Sequence, residues 1–164
     1  MTPAPRPTAA QARRMRSAAR FYAVQALFQM EAAGAGLATV LAEFETHRIG
    51  AEIDGVPFAE PDLEHFRALV TAAVSEQARI DQMTDRALVA RWPIDRIDPT
   101  LRAVFRAAGA ELVAADTPPK VTITEFVDVA KAFYPDGKEA KFVNGVLDHM
   151  ARDAQPAAFA AGPR

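Results

Sequence analysis

The sequence contains no cysteine and only one tryptophan among its 164 residues. Without cysteine the chain can form neither a disulfide nor a thiolate metal site, so we expect its stability to come from packing alone. No hydrophobic run approaches the roughly 18 residues that a membrane-spanning helix needs, and the N-terminus lacks the apolar segment of a signal peptide. These absences predict a soluble, cytoplasmic protein that makes no membrane contact.

The residue patterns of common catalytic sites are also missing. His47, His65 and His149 lie far apart and lack the spacing of four residues that is typical of a helical zinc site. A phosphate-binding loop requires a preceding strand and a following lysine, and the glycines at 34 and 36 have neither. We therefore expect no metal, no cofactor and no enzymatic activity.

The composition favours helices. Half of the residues are hydrophobic, alanine is abundant and runs of β-branched residues are scarce. A chain of this length forms one domain that buries about 70 per cent of the surface exposed by the unfolded chain. The sequence thus predicts a single all-α domain over residues 9–152, preceded by a proline-rich flexible leader over residues 1–8 and followed by a disordered Ala/Pro tail over residues 153–164.

Apolar residues spaced three and four apart predict about seven helices. The first two span residues 8–33 and about 37–48, and a loop without a strand covers residues 50–57. A third helix starts after Pro61 and leads into a fourth, which Trp92 and Pro93 end.

Helix-start signals predict the remaining three helices. Asp98 followed by a proline is a strong start signal for the fifth, and the spacing of Thr122 and Glu125 fits a capping box at the start of the sixth. The seventh follows the turn at residues 135–137 and runs to about Arg152. In its middle, Gly145 favours close packing against another helix over a ligand site.

Charge is unevenly distributed along the chain. The net charge of −2 divides into +5 on residues 1–20, which contain no acidic residue, and −7 on the rest. The basic residues of this segment are Arg6, Arg13, Arg14, Arg16 and Arg20. The spacing of Arg13, Arg16 and Arg20 puts them on one helix face, where they can follow a phosphate backbone. Four phosphate contacts to a single strand would make the logarithm of the affinity fall with the logarithm of the salt concentration, and this salt slope would be about 3. The alternative is a solvated helix end without a ligand.

The start of the seventh helix combines lysines with an aromatic residue. Its periodicity places Val143 inward and Phe142 about 100° away. Phe142 can therefore be partly exposed, and it lies close to Lys138 and Lys141 in the sequence. An exposed aromatic next to lysine is typical of single-stranded nucleic-acid recognition. Packing of Phe142 against a neighbouring helix remains an equal alternative.

Three segments resemble the NusB family of transcription antitermination factors. Residues 19–28 (ARFYAVQALF) are similar to the family's AxQALY helix, residues 104–112 (VFRAAGAEL) to its LRxAxxEL helix, and residues 141–148 (KFVNGVLD) to its characteristic ending. The resemblance extends from about Arg16 to Arg152. It implies a bundle of two packed three-helix halves with one extra helix.

The resemblance also implies a function and a set of contact residues. Family members bind single-stranded boxA RNA of ribosomal RNA operons together with a ribosomal small-subunit protein, NusE, and act within the antitermination complex of RNA polymerase. The positions that match RNA contacts, or extend them along the basic segment, are Arg13, Arg14, Arg16, Arg20, Phe28, Lys138, Lys141 and Phe142. Those expected near NusE are Asp95, Leu101 and Arg102.

Other interpretations remain open at this point. The same fold occurs as a module of ribosomal RNA cytosine methyltransferases, but the chain has no room for their cofactor domain with its glycine-rich turn. An interaction protein that forms homo- or hetero-oligomers without specific RNA binding is the main alternative. The sequence does not distinguish a free monomer from a homodimer.

Overall fold

The computed structural model describes residues 6–48, 52–53, 56–57, 60–88 and 94–160. Seven α-helices form within these ranges, and their bounds are α1 Ala9–Ala33, α2 Leu37–Glu43, α3 Leu63–Ser75, α4 Gln77–Ala87, α5 Pro99–Ala114, α6 Pro119–Phe133 and α7 Lys138–Ala154. The prediction of an all-α bundle of about seven helices is confirmed. None of the helices in these ranges is both long and apolar enough to cross a membrane.

The helices pack as two halves around α5. The first half consists of α1, α2 and α3, and the second of α5, α6 and α7, while α4 packs on α5 and α7. Helix α5 contacts α1, α3, α4, α6 and α7, and its Val104, Phe105 and Leu112 side chains are fully buried. It is therefore the central helix of the core, and its contacts with α1 and α3 join the second half to the first.

Gly109 lets α4 approach α5 closely. A Cβ atom at this position would lie 2.4 Å from Cγ2 of Ile80, which is too close for two carbon atoms. Gly145 differs, because a Cβ there would have no neighbour within 4 Å. The prediction that Gly145 marks close helix packing is wrong, and the close approach occurs at Gly109.

Capping explains where α1, α3 and α5 begin. Thr8 and Gln11 form a capping box before α1, while the side chains of Asp62 and Asp98 accept backbone N–H groups at the starts of α3 and α5. Gly34, in the left-handed conformation, ends α1.

The predicted capping box of α6 is wrong. The helix begins at Pro119, one residue after Pro118, because proline's fixed φ suits a first helical turn that needs no N–H donor. Thr122 lies inside the helix and is buried, where its hydroxyl donates to Oε2 of Glu111 at 2.6 Å. Glu125 faces α1.

The region after α2 is less regular than predicted. The helical path continues as a π-helical turn over Phe44–Arg48, and two-residue strands β1, Glu52–Ile53, and β2, Val56–Pro57, pair antiparallel. The sequence predicts a loop without a strand here. The pairing is too short to show a period-two pattern. Trp92 and Pro93, predicted to end the fourth helix, lie outside the described residues.

The C-terminal segment is ordered further than the sequence predicts. Helix α7 continues to Ala154, and Pro156–Phe159 form a 3₁₀ helix. Gln155 donates through Nε2 to the carbonyl oxygen of Leu112 at 2.8 Å, and the Arg152 guanidinium lies 4.6 Å from the centre of the Phe159 ring. These contacts give a physical reason for order up to residue 160; residues 161–164 of the predicted tail and 1–5 of the leader lie outside the described ranges.

Candidate nucleic-acid interface

Three arginines near the start of α1 are available to a ligand. Arg13 and Arg14 are exposed and Arg16 is half-buried. No acidic side chain in the described part of the chain pairs with any of the three. Since an unpaired guanidinium keeps all its donors, this end of α1 is the strongest candidate for binding a phosphate backbone.

Arg20 lies on the same face but is not available. Only 2% of its side chain is exposed, its Nε lies 2.9 Å from Oε1 of Glu111, and a terminal nitrogen lies 3.5 Å from Oε1 of Glu125. The sequence prediction that Arg20 contacts RNA assumed an exposed guanidinium. The structure corrects this, because the helix face that is solvent-exposed at Arg13 is covered by α5 and α6 at Arg20.

Glu111 is the centre of a buried polar network. Besides Arg20, its carboxylate contacts Nε2 of His65 at 2.7 Å and the hydroxyl of Thr122 at 2.6 Å, so it connects α1, α3, α5 and α6. Burial alone would raise the pKa of Glu111, but the His65 hydrogen bond and the charge of Arg20 outweigh it and lower the pKa below its ordinary value. Glu111 therefore remains ionised and holds α1 against the core.

A groove of about 470 Å³ lies above this network, between the start of α1 and helices α3, α5 and α6. Arg13 and Arg16 line it together with Val121, and the small side chains of Ala68 and Ala72 line its α3 side. The groove was not predicted from the sequence. Alanines spaced four residues apart on α3 are the one signal that could have indicated it, since small side chains leave space between helices.

Phe28 lies near the other end of α1. Its side chain is 40% exposed, and it lines a second groove of about 330 Å³ together with Thr100 and Phe133. Fifteen residues of helix separate it from Arg13, which corresponds to about 22 Å at a rise of 1.5 Å per residue. Phe28 and the unpaired arginines therefore lie in two separate regions, towards opposite ends of α1.

The start of α7 lies at the same end as Phe28. Helix α6 ends at Phe133, which lines the Phe28 groove, and a short turn leads from there into Lys138. Lys138 and Lys141 are exposed, and among the described residues no acidic side chain pairs with either of them. The lysines thus provide unpaired positive charge at the start of α7.

Phe142 is both partly exposed and packed against a neighbouring helix, the two alternatives that the sequence left open. Its side chain is 39% exposed, and its ring centre lies 6.0 Å from that of Phe105 in an edge-to-face arrangement. The contact with Phe105 fixes the ring while part of it remains accessible. Such a fixed, half-exposed ring loses little conformational entropy when a base stacks on it.

The residues predicted at the partner interface are mostly buried. Asp95 is exposed in a 3₁₀ helix, Ile94–Arg96, but Leu101 and Arg102 are buried. The Arg102 guanidinium pairs with Glu31 and donates to the carbonyl oxygens of residues 94 and 97 at 2.9 and 3.1 Å. The structure therefore corrects the assignment of Leu101 and Arg102 as exposed contact residues, because both belong to the packing of the α5 N-terminus.

The Arg102 pair is part of a second polar network. Arg106 contacts Glu31 at 3.0 Å and Asp81 at 2.9 Å, which joins the end of α1 to α4 and α5. The hydrogen bond from Arg102 lowers the pKa of Glu31, and it outweighs the opposing effect of burial. No group of three or more histidine or acidic side chains in the described ranges could hold a metal ion.

Comparisons with known proteins agree with this architecture. The sequence model of the NusB family matches residues 17–152. The transcription antitermination protein NusB of Brucella abortus (strain S19) is 44% identical over 161 residues, which cover 98% of this chain and 94% of the relative. The protein of the same name from Brucella anthropi is 45% identical over 148 residues, covering 90% and 88%. These relatives are transcription antitermination proteins and not enzymes.

Solved structures give the same result. NusB of T. maritima superimposes with a TM-score of 0.69 at 29% identity, covering 89% of this chain and 97% of that one. A structure of the antitermination factors NusB and NusE in complex with double-stranded RNA gives a TM-score of 0.68 at 29% identity, covering 85% and 98%. With the family model, the near full-length relatives and the shared fold in agreement, the chain belongs to the NusB family of transcription antitermination factors.

Proposed function

We propose that this protein binds boxA RNA of ribosomal RNA operon leaders together with the ribosomal protein NusE, and so supports processive transcription of those operons in the cytoplasm. The observation that carries the proposal is the set of three arginines, Arg13, Arg14 and Arg16, left without acidic partners at the start of α1. Arg20, one turn after Arg16 on the same helix, is by contrast held in a buried ion pair with Glu111.

The geometry supports a single strand that follows α1. Arg13, Arg14 and Arg16 would hold phosphates, while Phe28, about 22 Å from Arg13 along α1, and Phe142 of α7 would each accept a base. At the stacked spacing of about 3.4 Å per phosphate, that distance corresponds to six or seven nucleotides. Lys138 and Lys141 would contact the backbone at the aromatic end.

NusE is proposed as the partner that adds specificity. The chain outside residues 1–20 carries a net charge of −7, which favours association with a basic ribosomal protein. Asp95 is the exposed member of the predicted contact set and is the residue through which we expect this association. A solved relative contains NusB, NusE and double-stranded RNA.

Fluorescence anisotropy tests the proposal. A labelled boxA RNA, a scrambled RNA and a boxA duplex are titrated with the protein at several salt concentrations, with and without NusE. We expect the single strand to bind most tightly, NusE to increase affinity for boxA selectively, and the double variant Arg13→Ala, Arg16→Ala to weaken binding. Arg79→Ala, at an exposed position on α4 that does not line the groove at the start of α1, is the control for the loss of an arginine elsewhere on the surface.

Two results would contradict the proposal. Equal, weak binding of boxA and scrambled RNA that NusE does not change would favour an interaction protein without specific RNA binding. A homodimer that RNA does not dissociate, seen by size-exclusion chromatography with mass measurement, would point the same way, since its interface would cover the basic end of α1.

A further inference from the structure

The groove at the start of α1 has a charge pattern that a phosphate-binding cleft would not need. Its rim carries the unpaired Arg13 and Arg16, but its walls carry carboxylates, next to the buried Arg20–Glu111 pair. Glu125 is 24% exposed and lies at the α6 side, and the exposed Asp116 lies near the end of α5. A phosphate can bind at the rim, whereas the carboxylates repel it from the interior.

Glu125 can accept a further hydrogen bond. Its two oxygens accept the Ser17 hydroxyl at 3.1 and 2.8 Å, and the Arg20 contact at 3.5 Å is too long for a strong hydrogen bond. A carboxylate offers about four lone-pair sites, so at least one remains for a ligand N–H group. Because an ionised carboxylate can only accept, the ligand group that it recognises must be a donor.

Part of the groove floor, beside Arg20, His65 and Glu111, is apolar and lined by small side chains. Ala68 and Ala72 of α3 and Ala114 of α5 are accessible to different degrees, and the buried Ala110 closes the base. The volume of about 470 Å³ is within the range of sites that hold small organic ligands. A groove with small apolar side chains on part of its floor, a carboxylate that accepts hydrogen bonds on its wall and arginines at its rim matches one nucleotide of a single strand.

We propose that this groove receives one cytosine of the bound RNA strand and recognises it through its exocyclic amino group. The amino group donates to Glu125, the ring packs on the alanine floor, and Arg13 and Arg16 hold the flanking phosphates. Carboxylates are the side chains that recognise the cytosine amino group in nucleic-acid complexes generally. This inference rests on the proposed RNA binding and adds a base-selective position at the end of α1 opposite Phe28.

A pair of matched RNAs tests the preference. Oligo(C) and oligo(U), each of eight nucleotides, differ at the pyrimidine ring. Cytosine carries the amino group that would donate a hydrogen bond to Glu125, and uracil lacks it. At neutral pH we expect the wild-type protein to bind oligo(C) about tenfold more tightly than oligo(U), the size expected of one hydrogen bond to a charged group. Glu125→Gln, which keeps the shape of the side chain, should remove most of that difference.

A second variant fills the groove without touching Glu125. Ala68→Leu adds volume at an exposed helix position, so it should leave the fold intact and lower the affinity for oligo(C) to that for oligo(U). Ala78→Leu, at an exposed position on α4 outside the groove, is the matched control and should change neither affinity. Thermal unfolding followed by circular dichroism confirms that all variants are folded.

The outcomes separate the two proposals. If oligo(C) and oligo(U) bind equally and Ala68→Leu has no effect, while Arg13→Ala with Arg16→Ala weakens both, the base site is refuted and the proposed RNA function stands. If Ala68→Leu weakens binding of NusE but not of RNA, the groove is a protein site and the inference is wrong. If neither boxA nor the oligonucleotides bind, the proposed function fails and the base site fails with it.

Discussion

Removal of the Arg20 guanidinium should destabilise the fold and not the RNA complex. Arg20→Ala leaves Glu111, whose side chain is 2% exposed, without its nearest cation. Breaking a buried ion pair from one side costs about 3–5 kcal/mol, because the remaining charge is uncompensated. The Glu111 bonds from His65 and Thr122 remain, so we expect a value near the lower end, about 3 kcal/mol, within a total stability of about 5–15 kcal/mol.

Urea unfolding followed by far-UV circular dichroism measures this effect. With a slope of about 1–3 kcal/mol per molar urea, a loss of 3 kcal/mol lowers the midpoint by at least 1 M. Arg16→Ala is the control on the same helix face, and because Arg16 has no acidic partner among the described residues we expect a change within about 0.5 kcal/mol. The paired variant Arg20→Met, Glu111→Leu should be less destabilised than Arg20→Ala, since it leaves no buried charge alone.

The opposite pattern would refute this reasoning. If Arg20→Ala leaves the urea midpoint unchanged and lowers the salt slope of RNA binding by about 0.7, the size of one phosphate contact to a single strand, then Arg20 contacts RNA in solution. The buried position between Glu111 and Glu125 would then not describe the RNA-bound protein.

Three further predictions concern charge, packing and pH. The double variant Arg13→Ala, Arg16→Ala should lower the slope of log affinity against log salt by about 1.4, measured with boxA RNA from 50 to 300 mM salt, where about 0.7 is expected per phosphate. Gly109→Ala should cost about 1–3 kcal/mol by overpacking, whereas Gly145→Ala should stabilise by up to about 1 kcal/mol, both measured by urea unfolding. Because the folded pKa of Glu111 lies below its ordinary 4.5, the stability that it contributes is present above that pH and is lost as pH falls through the folded pKa. Unfolding of Glu111→Gln between pH 6 and 3 should therefore show a weaker pH dependence than the wild type, and an unchanged dependence would assign the acid sensitivity to other carboxylates.

The sequence predicted most helix bounds because their causes are local. Capping residues such as Thr8 and Asp98 and the glycine after α1 act within a few residues, so a linear pattern contains the whole signal. The start of α6 was missed for the opposite reason. Thr122 has capping-box spacing, but its hydroxyl is used by Glu111 of another helix, a contact that no local pattern contains.

The sequence predicted the kind of candidate site better than it predicted which side chains are accessible there. Spacing placed Arg13, Arg16 and Arg20 on one face, and all three line the same groove. Periodicity gives direction around a helix but not depth along it, so it could not show that α5 and α6 cover this face at Arg20. The same limit applies to Leu101 and Arg102, whose burial depends on how the α5 N-terminus packs against the end of α1.

One face of α1 therefore has one role at its start and another role further along the helix. At Arg13 and Arg16 the guanidinium groups face solvent and can exchange counterions for phosphates, so they affect affinity and its salt dependence. About one turn after Arg16, Arg20 is enclosed by Glu111 and Glu125, so it affects stability. Because Glu125 contacts Arg20 and also borders the groove, it is the residue at which the two roles meet. A variant there should change both base preference and urea midpoint, whereas Ala68→Leu should change base preference alone.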